Sequence, residues 1–367
     1  MKILHVIDSL SMGGAENLLI GLAGEQFLRG HNVTVAPLVS NGLSPVQEKL
    51  EMKGVTVKPL AKNGSVYNPL FIIRIAKILS DYDVVHVHLF PALYWAGLAK
   101  LVSFCRKPLV YTEHSTNNKR RKNKLLHIVD GFVYKHCYYK VIACAEKAYE
   151  TYRIAFPTID HVCYINNGVD TKVFRDAEPY SKAELVGLAE NSFLVTMVAR
   201  FMPMKRQDTM VEALTVLPGR IHALFVGGEE KDSGLLRVRK LAEEKGVSER
   251  AHFLYIRKDV PRILKSSDVI LMASDYEGLS LSSIEGMASG KPFVASNVDG
   301  LREVVGGAGL LYDNRDYKGL ANLLLNLSED GLFYEEIANK CKERARHYDI
   351  KRVVDAYMSI YDEVLFL

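Results

Sequence analysis

The chain has 367 residues, 48% of them apolar and 25% charged, with a formal net charge of +4. This is the composition of a globular enzyme and not of a disordered or fibrous chain, and the length suits two domains. The charge is too small to argue for nucleic acid, and no run approaches the ~18 unbroken apolar residues that a spanning helix needs. The nearest, residues 70–79, is broken by Arg74 and Lys77. The opening MKILHVID has too short an apolar run for a signal peptide and carries Asp8 inside it. Five cysteines, an odd number without a C-x-x-C pair, suit a reducing cytoplasmic compartment.

Taken in order, KILHVID reads as a strand, ENLLIGLAGEQFLRG as a helix and NVTVAPLV as a strand. DVVHVHL (strand), ALYWAGLAKLV (helix), PLVYTEH (strand), a long basic helix and KVIACAE (strand) follow. This βαβα order predicts a parallel sheet with helices on both faces. It breaks across 165–192, which is polar with Gly and Pro, so a linker is expected near 170–190. Alternation then restarts with FLVTMVARF, IHALFVGG, AHFLYI and DVILMAS as strands between helical segments. The expected domains are 1–175 and 190–345. The helical segments after Tyr334 have no strand between them, and a helix at about 350–367 is expected to return to the first domain.

In open parallel sheets ligands bind beyond the carboxyl ends of strands, where helix N-termini offer unpaired N–H groups. Five places qualify. Gly13 and Gly14 follow the first strand, as an anion-binding helix start or as a tight turn needing positive φ; the G-x-G-x-x-G fingerprint is missing. His114 ends YTEH, suited to a sugar hydroxyl or phosphate oxygen, with Glu113 to orient it, or else a plain loop histidine. Arg200 and Lys205 leave a strand end together, as a diphosphate suits, or form an exposed charged loop. Glu277 falls in a loop and Glu285 in the first turns of a helix starting among residues 280–283; alternatively Ser282 and Glu285 form a capping box. Residues 117–140 join a basic cluster to an apolar stripe, either a membrane-surface helix or a solvated face over a core-packed one.

Collectively GGAE (13–16), INNGVDTKVF (165–174), ARFMPMK (199–205), DVPRILKSSDVILMASDYEGLSLSSIEGMASGKPFVAS (259–296) and VDGLREVV (298–305) resemble retaining nucleotide-sugar glycosyltransferases of the GT-B fold, family 4. The resemblance implies an α/β chain of two facing, doubly wound Rossmann-like domains with parallel sheets and a cleft between them. It implies that Arg200 and Lys205 hold the diphosphate, helped by Gly13 and Gly14, and that Glu285 binds the ribose. By the same likeness Glu277 contacts the donor sugar, with the backbone of Gly278, Leu279, Ser280 and Leu281. His114 sits near the transferred sugar, and the base rests by Tyr255 and Ile256. The implied enzyme is a hexosyltransferase acting on a UDP- or GDP-type sugar and a glycan or lipid-linked acceptor in surface polysaccharide synthesis. It needs no cofactor and no metal, since the one D-x-D, Asp81-Tyr82-Asp83, precedes a strand. It is cytoplasmic, with peripheral membrane contact through 117–140. A sugar-nucleotide epimerase of the same fold and a non-catalytic nucleotide-sugar-binding protein are the alternatives.

Overall fold

The structure, a computed structural model, describes residues 1–11, 13–114 and 123–366. The chain divides into two compact units, Met1–Gly168 with Ile350–Leu367, and Val169–Asp349.

The first unit is built on β1 (Lys2–Ile7), β2 (Asn32–Pro37), β3 (Thr56–Val57), β4 (Val84–His88), β5 (Leu109–Glu113), β6 (Lys140–Ala143) and β7 (Val162–Tyr164). They form one sheet in the order β3-β2-β1-β4-β5-β6-β7, and every pairing is parallel. Strands covered by helices on both faces lose the usual alternation, and β4 and β5 are buried at every position. The terminal helix Ile350–Leu365 belongs to this unit: Val353, Val354, Tyr357 and Tyr361 join Ile3, Ile7 and Leu19 in one core. Each such buried aliphatic side chain contributes about 1.5–3 kcal/mol, enough to hold a helix that comes late in the chain.

The second unit carries β8 (Phe193–Val198), β9 (Ile221–Val226), β10 (Ala251–Leu254), β11 (Val269–Met272), β12 (Phe293–Ser296) and β13 (Leu310–Tyr312), in the order β10-β9-β8-β11-β12-β13. Again the ladder is parallel throughout. The stretch that reads as a linker lies inside this unit and has structure of its own. Helices Thr171–Arg175 and Lys182–Val186 form there, the second with a capping box between Ser181 and Glu184. Lys182 pairs with Asp268 at 2.7 Å, Arg262 lies 3.8 Å over the Tyr180 ring, and Leu185, Val186 and Leu188 pack against Leu194, Leu224, Val226 and Ile263, which together fix the stretch to the unit.

Strand order reverses at β1 in the first unit and at β8 in the second. The crevices at such switch points, beyond the strands' carboxyl ends, are where open α/β sheets take ligands.

Candidate functional site

At the switch point of the second unit the loop after β8 folds tightly on itself. The Arg200 carbonyl accepts from the Met202 N–H at 2.9 Å and from Gln207 Nε2 at 3.0 Å. Arg206 takes φ 53°, which turns the chain into helix Gln207–Leu214 and sends its guanidinium to Asp208 at 3.0 Å. That leaves two cations for the crevice. Arg200 is exposed and, among the described residues, makes no side-chain hydrogen bond or ion pair. Lys205 Nζ meets Glu277 Oε1 at 2.5 Å, and Ser274 Oγ donates to the same oxygen at 2.6 Å. The Asp275 N–H donates to the Met204 carbonyl at 2.8 Å, so the loops after β8 and β11 are tied by backbone as well as by charge.

Beyond β11 the chain runs through Glu277 and Gly278 to helix Leu281–Ala288. Ser280 is the N-cap: its Oγ accepts from the Ser283 N–H at 3.3 Å and from Ser283 Oγ at 2.7 Å. The alternative reading, a capping box between Ser282 and Glu285, therefore does not hold. Ser282 is already the second helical residue, and Glu285 lies too far into the helix to reach a cap. The 277–278 backbone also packs tightly against helix Asp299–Val305. A Cβ on Gly300 would stand 1.8 Å from the Gly278 carbonyl oxygen, so only glycine lets the two backbones approach so closely.

A cavity of about 800 Å³ opens at the ends of β8 and β9, lined by Arg200, Lys205, Gly228, Asp232, Ile256 and Ser282 among others. Its volume suits a small-molecule ligand. Gly227 shapes the wall: at φ 136° it places its backbone where a Cβ would be 2.3 Å from the Ala199 carbonyl oxygen. Of the expected donor residues Arg200, Lys205 and Ile256 line this cavity, whereas Tyr255, Glu277, residues 278–281 and Glu285 do not. Tyr255 instead presents its ring to the Arg239 guanidinium at 5.9 Å. Glu277 reaches the cavity through Lys205.

In the first unit Gly13 is the N-cap of helix Gly14–Leu28 with extended φ −155°, so the tight turn with positive φ is absent and a plain helix start stands there. His114 ends β5. Glu113, on the alternate face, accepts from Tyr134 Oη at 3.2 Å, while His114 Nε2 faces His88 Nδ1 at 3.3 Å. Burial pushes the His114 imidazole down to about 4. Asp83 accepts from the Lys2 N–H at 2.8 Å, which gives one member of the D-x-D a structural partner at a strand end. Of the basic segment, residues 117–122 lie outside the described residues. Helix Lys124–Cys137 buries Asp130, Val133, Tyr134 and Cys137, and leaves Leu125, Ile128 and Phe132 at 69%, 68% and 51% exposure. Most of the apolar stripe thus faces outward, Val129 included, and of its residues only Val133 is buried.

Sequence reasoning passed over His5, His86 and His88, all fully buried. Parallel pairing sets His5 opposite His86, and the V-H-V-H alternation of β4 puts His86 and His88 on one face. That alternation inside an otherwise apolar central strand was the available signal.

Two doubly wound parallel-sheet units, one with a cavity at a strand switch whose lining includes Arg200 and Lys205, make up a GT-B fold. The Glycosyltransferase Family 4 model matches residues 12–173 and the Glycosyl transferases group 1 model residues 182–348, and the chain belongs to this family. It is 26% identical over 303 residues to a D-inositol 3-phosphate glycosyltransferase of Mycobacterium marinum, with 76% of this chain and 63% of that protein covered. It is 24% identical to the Escherichia coli UDP-Gal:alpha-D-GlcNAc-diphosphoundecaprenol alpha-1,3-galactosyltransferase over 89% of each chain. Among solved structures, Anabaena HepE in complex with UDP superposes with a TM-score of 0.84 at 23% identity, covering 99% of this chain and 100% of that one.

Proposed function

We propose that the chain is a retaining, metal-independent glycosyltransferase that moves a sugar from a UDP- or GDP-type donor to a glycan or lipid-linked acceptor in surface polysaccharide synthesis. The observation that carries this reading is the convergence of Arg200 and Lys205 on one cavity at the β8 switch point. The UDP held by the HepE structure and the diphosphoundecaprenol acceptor named for the Escherichia coli relative support the donor and acceptor classes. As the sugar–phosphate bond breaks, positive character grows at the anomeric carbon and negative charge on the diphosphate. Arg200, Lys205 and the N-terminus of helix Leu281–Ala288 meet that charge with preorganised donors. The departing phosphate takes the acceptor's proton on the same face, which retains configuration. Two cations at the phosphate do a metal's work.

In this reading Glu277 orients Lys205 and contacts the donor sugar, Glu285 binds the ribose, and His114 hydrogen-bonds the transferred sugar. Backbone groups of 278–281 and of Gly13 and Gly14 add anion or hydroxyl contacts. Ile256 meets the base, with Tyr255 beside it. No helix among the described residues is long and apolar enough to cross a membrane. The exposed Leu125, Ile128 and Phe132, next to Lys124, give a face for peripheral contact with an anionic cytoplasmic leaflet.

The test is turnover of UDP- and GDP-sugars with and without a lipid-linked acceptor, in the presence of EDTA, with the product's anomeric coupling read by NMR. Acceptor-dependent product of retained configuration is expected. Donor turnover without acceptor would indicate the epimerase, and donor binding without any turnover the non-catalytic protein.

A further inference from the structure

Six ring nitrogens of three buried histidines are accounted for by hydrogen bonds. His5 Nε2 lies 2.8 Å from Gln26 Oε1, and His5 Nδ1 lies 3.1 Å from His88 Nε2. His88 Nδ1 lies 3.3 Å from His114 Nε2. His86 stands aside from this row, with Nδ1 on Tyr361 Oη at 2.5 Å and Nε2 on Thr112 Oγ1 at 2.7 Å. Although His5, His86 and His88 have nitrogens within 4.8 Å of one another, none is left over for a metal.

A neutral imidazole has one N–H and one bare nitrogen, so a row of N···N contacts must be protonated in a single direction along its length. Gln26 decides the direction. Its Nε2 faces Met358 Sδ at 3.9 Å, a weak acceptor, and its side chain also donates to the Tyr361 oxygen, so the amide carbonyl is turned to His5. Reversing the amide would set two acceptors, a carbonyl oxygen and a thioether, against each other. The carbonyl requires the His5 proton on Nε2, which leaves His5 Nδ1 bare to accept from His88 Nε2–H. His88 Nδ1 is then bare and accepts from His114 Nε2–H. Burial holds the row neutral: His5 is pushed down to about 4 and His88 well below its ordinary value.

We propose that Gln26, His5 and His88 are positioning residues that hold His114 in the Nε2–H tautomer, presenting a bare Nδ1 as a hydrogen-bond acceptor. A bare Nδ1 accepts from a hydroxyl and repels an unprotonated phosphate oxygen, so the row selects the sugar hydroxyl over the diphosphate as the ligand of His114. The catalytic consequence rests on the proposed role of His114; the tautomer does not.

The test is the imidazole 15N spectrum of histidine-labelled protein at neutral pH. Protons on Nε2 of His5, His88 and His114 are expected, with N–N couplings across the two ring–ring hydrogen bonds. A proton on His114 Nδ1 would overturn the proposal. Gln26→Leu removes the bias and is expected to give mixed tautomers at His114. With about half the molecules in the competent form, apparent donor affinity falls roughly twofold, read as a roughly twofold rise in donor KM. An unchanged His114 spectrum in Gln26→Leu would overturn the relay. Wild-type turnover by His114→Ala would instead remove the catalytic reading of His114, while the spectrum alone decides the tautomer.

Discussion

Lys205 and Glu277 lie 72 positions apart and meet at 2.5 Å, with their side chains 17% and 14% exposed. Shielding of that degree makes a charge pair matter more than a surface one, and it keeps Lys205 aimed at the cavity instead of sampling solvent. Lys205→Ala is expected to weaken nucleoside-diphosphate binding by about 10- to 100-fold, the loss of one charged hydrogen bond worth about 1.5–3 kcal/mol. The fold should be retained, since Ser274 still donates to the Glu277 carboxylate, with a modest fall in urea midpoint because that shielded carboxylate loses its cation. Calorimetric titration beside urea denaturation separates the two effects. Arg200 and Lys205 were readable as a pair because two cations leave one strand end. The partnership of Lys205 with Glu277 was not, since local spacing carries no record of which loop will face which.

At the scale of elements, the helix that begins at Leu281 depends on one side chain and one neighbouring glycine. Ser280→Ala removes the cap, and a loss of about 1 kcal/mol in urea denaturation is expected. Gly300→Ala acts differently. Its Cβ cannot fit 1.8 Å from the Gly278 carbonyl oxygen, so the 277–278 loop must shift and carry Glu277 away from Lys205. Donor affinity is expected to fall in Gly300→Ala while far-ultraviolet circular dichroism stays that of the wild type; unaltered donor affinity would mean the loop position is unimportant. The strands and the helix start were legible because buried parallel strands are short apolar runs and a serine cluster precedes the helix. The cap was misplaced between Ser280 and Ser282 because three nearby serines offer equivalent local chemistry, and tertiary packing chooses among them. The outward face of helix Lys124–Cys137 was ambiguous for a similar reason: Leu125, Ile128 and Phe132 share the helical period of core residues.

For the whole molecule, the two units carry different sensitivities. His5, His86, His88 and His114 all lie in the first unit, each lowered by burial below the value of an unfolded histidine. The unfolded chain therefore binds more protons than the folded one below about pH 6.5. Stability is full above that value and falls as pH drops towards about 4. The chain's single tryptophan, Trp95, also lies in this unit and donates to the Val66 carbonyl at 2.8 Å. Its fluorescence should show a urea midpoint that declines steadily from pH 7 to pH 5; a flat midpoint would mean that the histidines are charged in the folded state. The two sheets and the late helix could be anticipated from the alternation of apolar runs. The histidine row could not, because His5 and His88 are 83 positions apart and meet only through the register of β1 and β4.

The central claim is that the second unit binds a nucleoside-diphosphate sugar through Arg200 and Lys205. A thermal-unfolding titration against UDP, GDP, ADP and CDP, with Lys205→Ala alongside, tests it most directly. A ligand at about 100 times its dissociation constant adds about 2.7 kcal/mol to stability. A rise selective for UDP or GDP in the wild type, and largely lost in Lys205→Ala, is the expected result. No rise with any nucleotide, or an equal rise in both proteins, would contradict the assignment of the cavity.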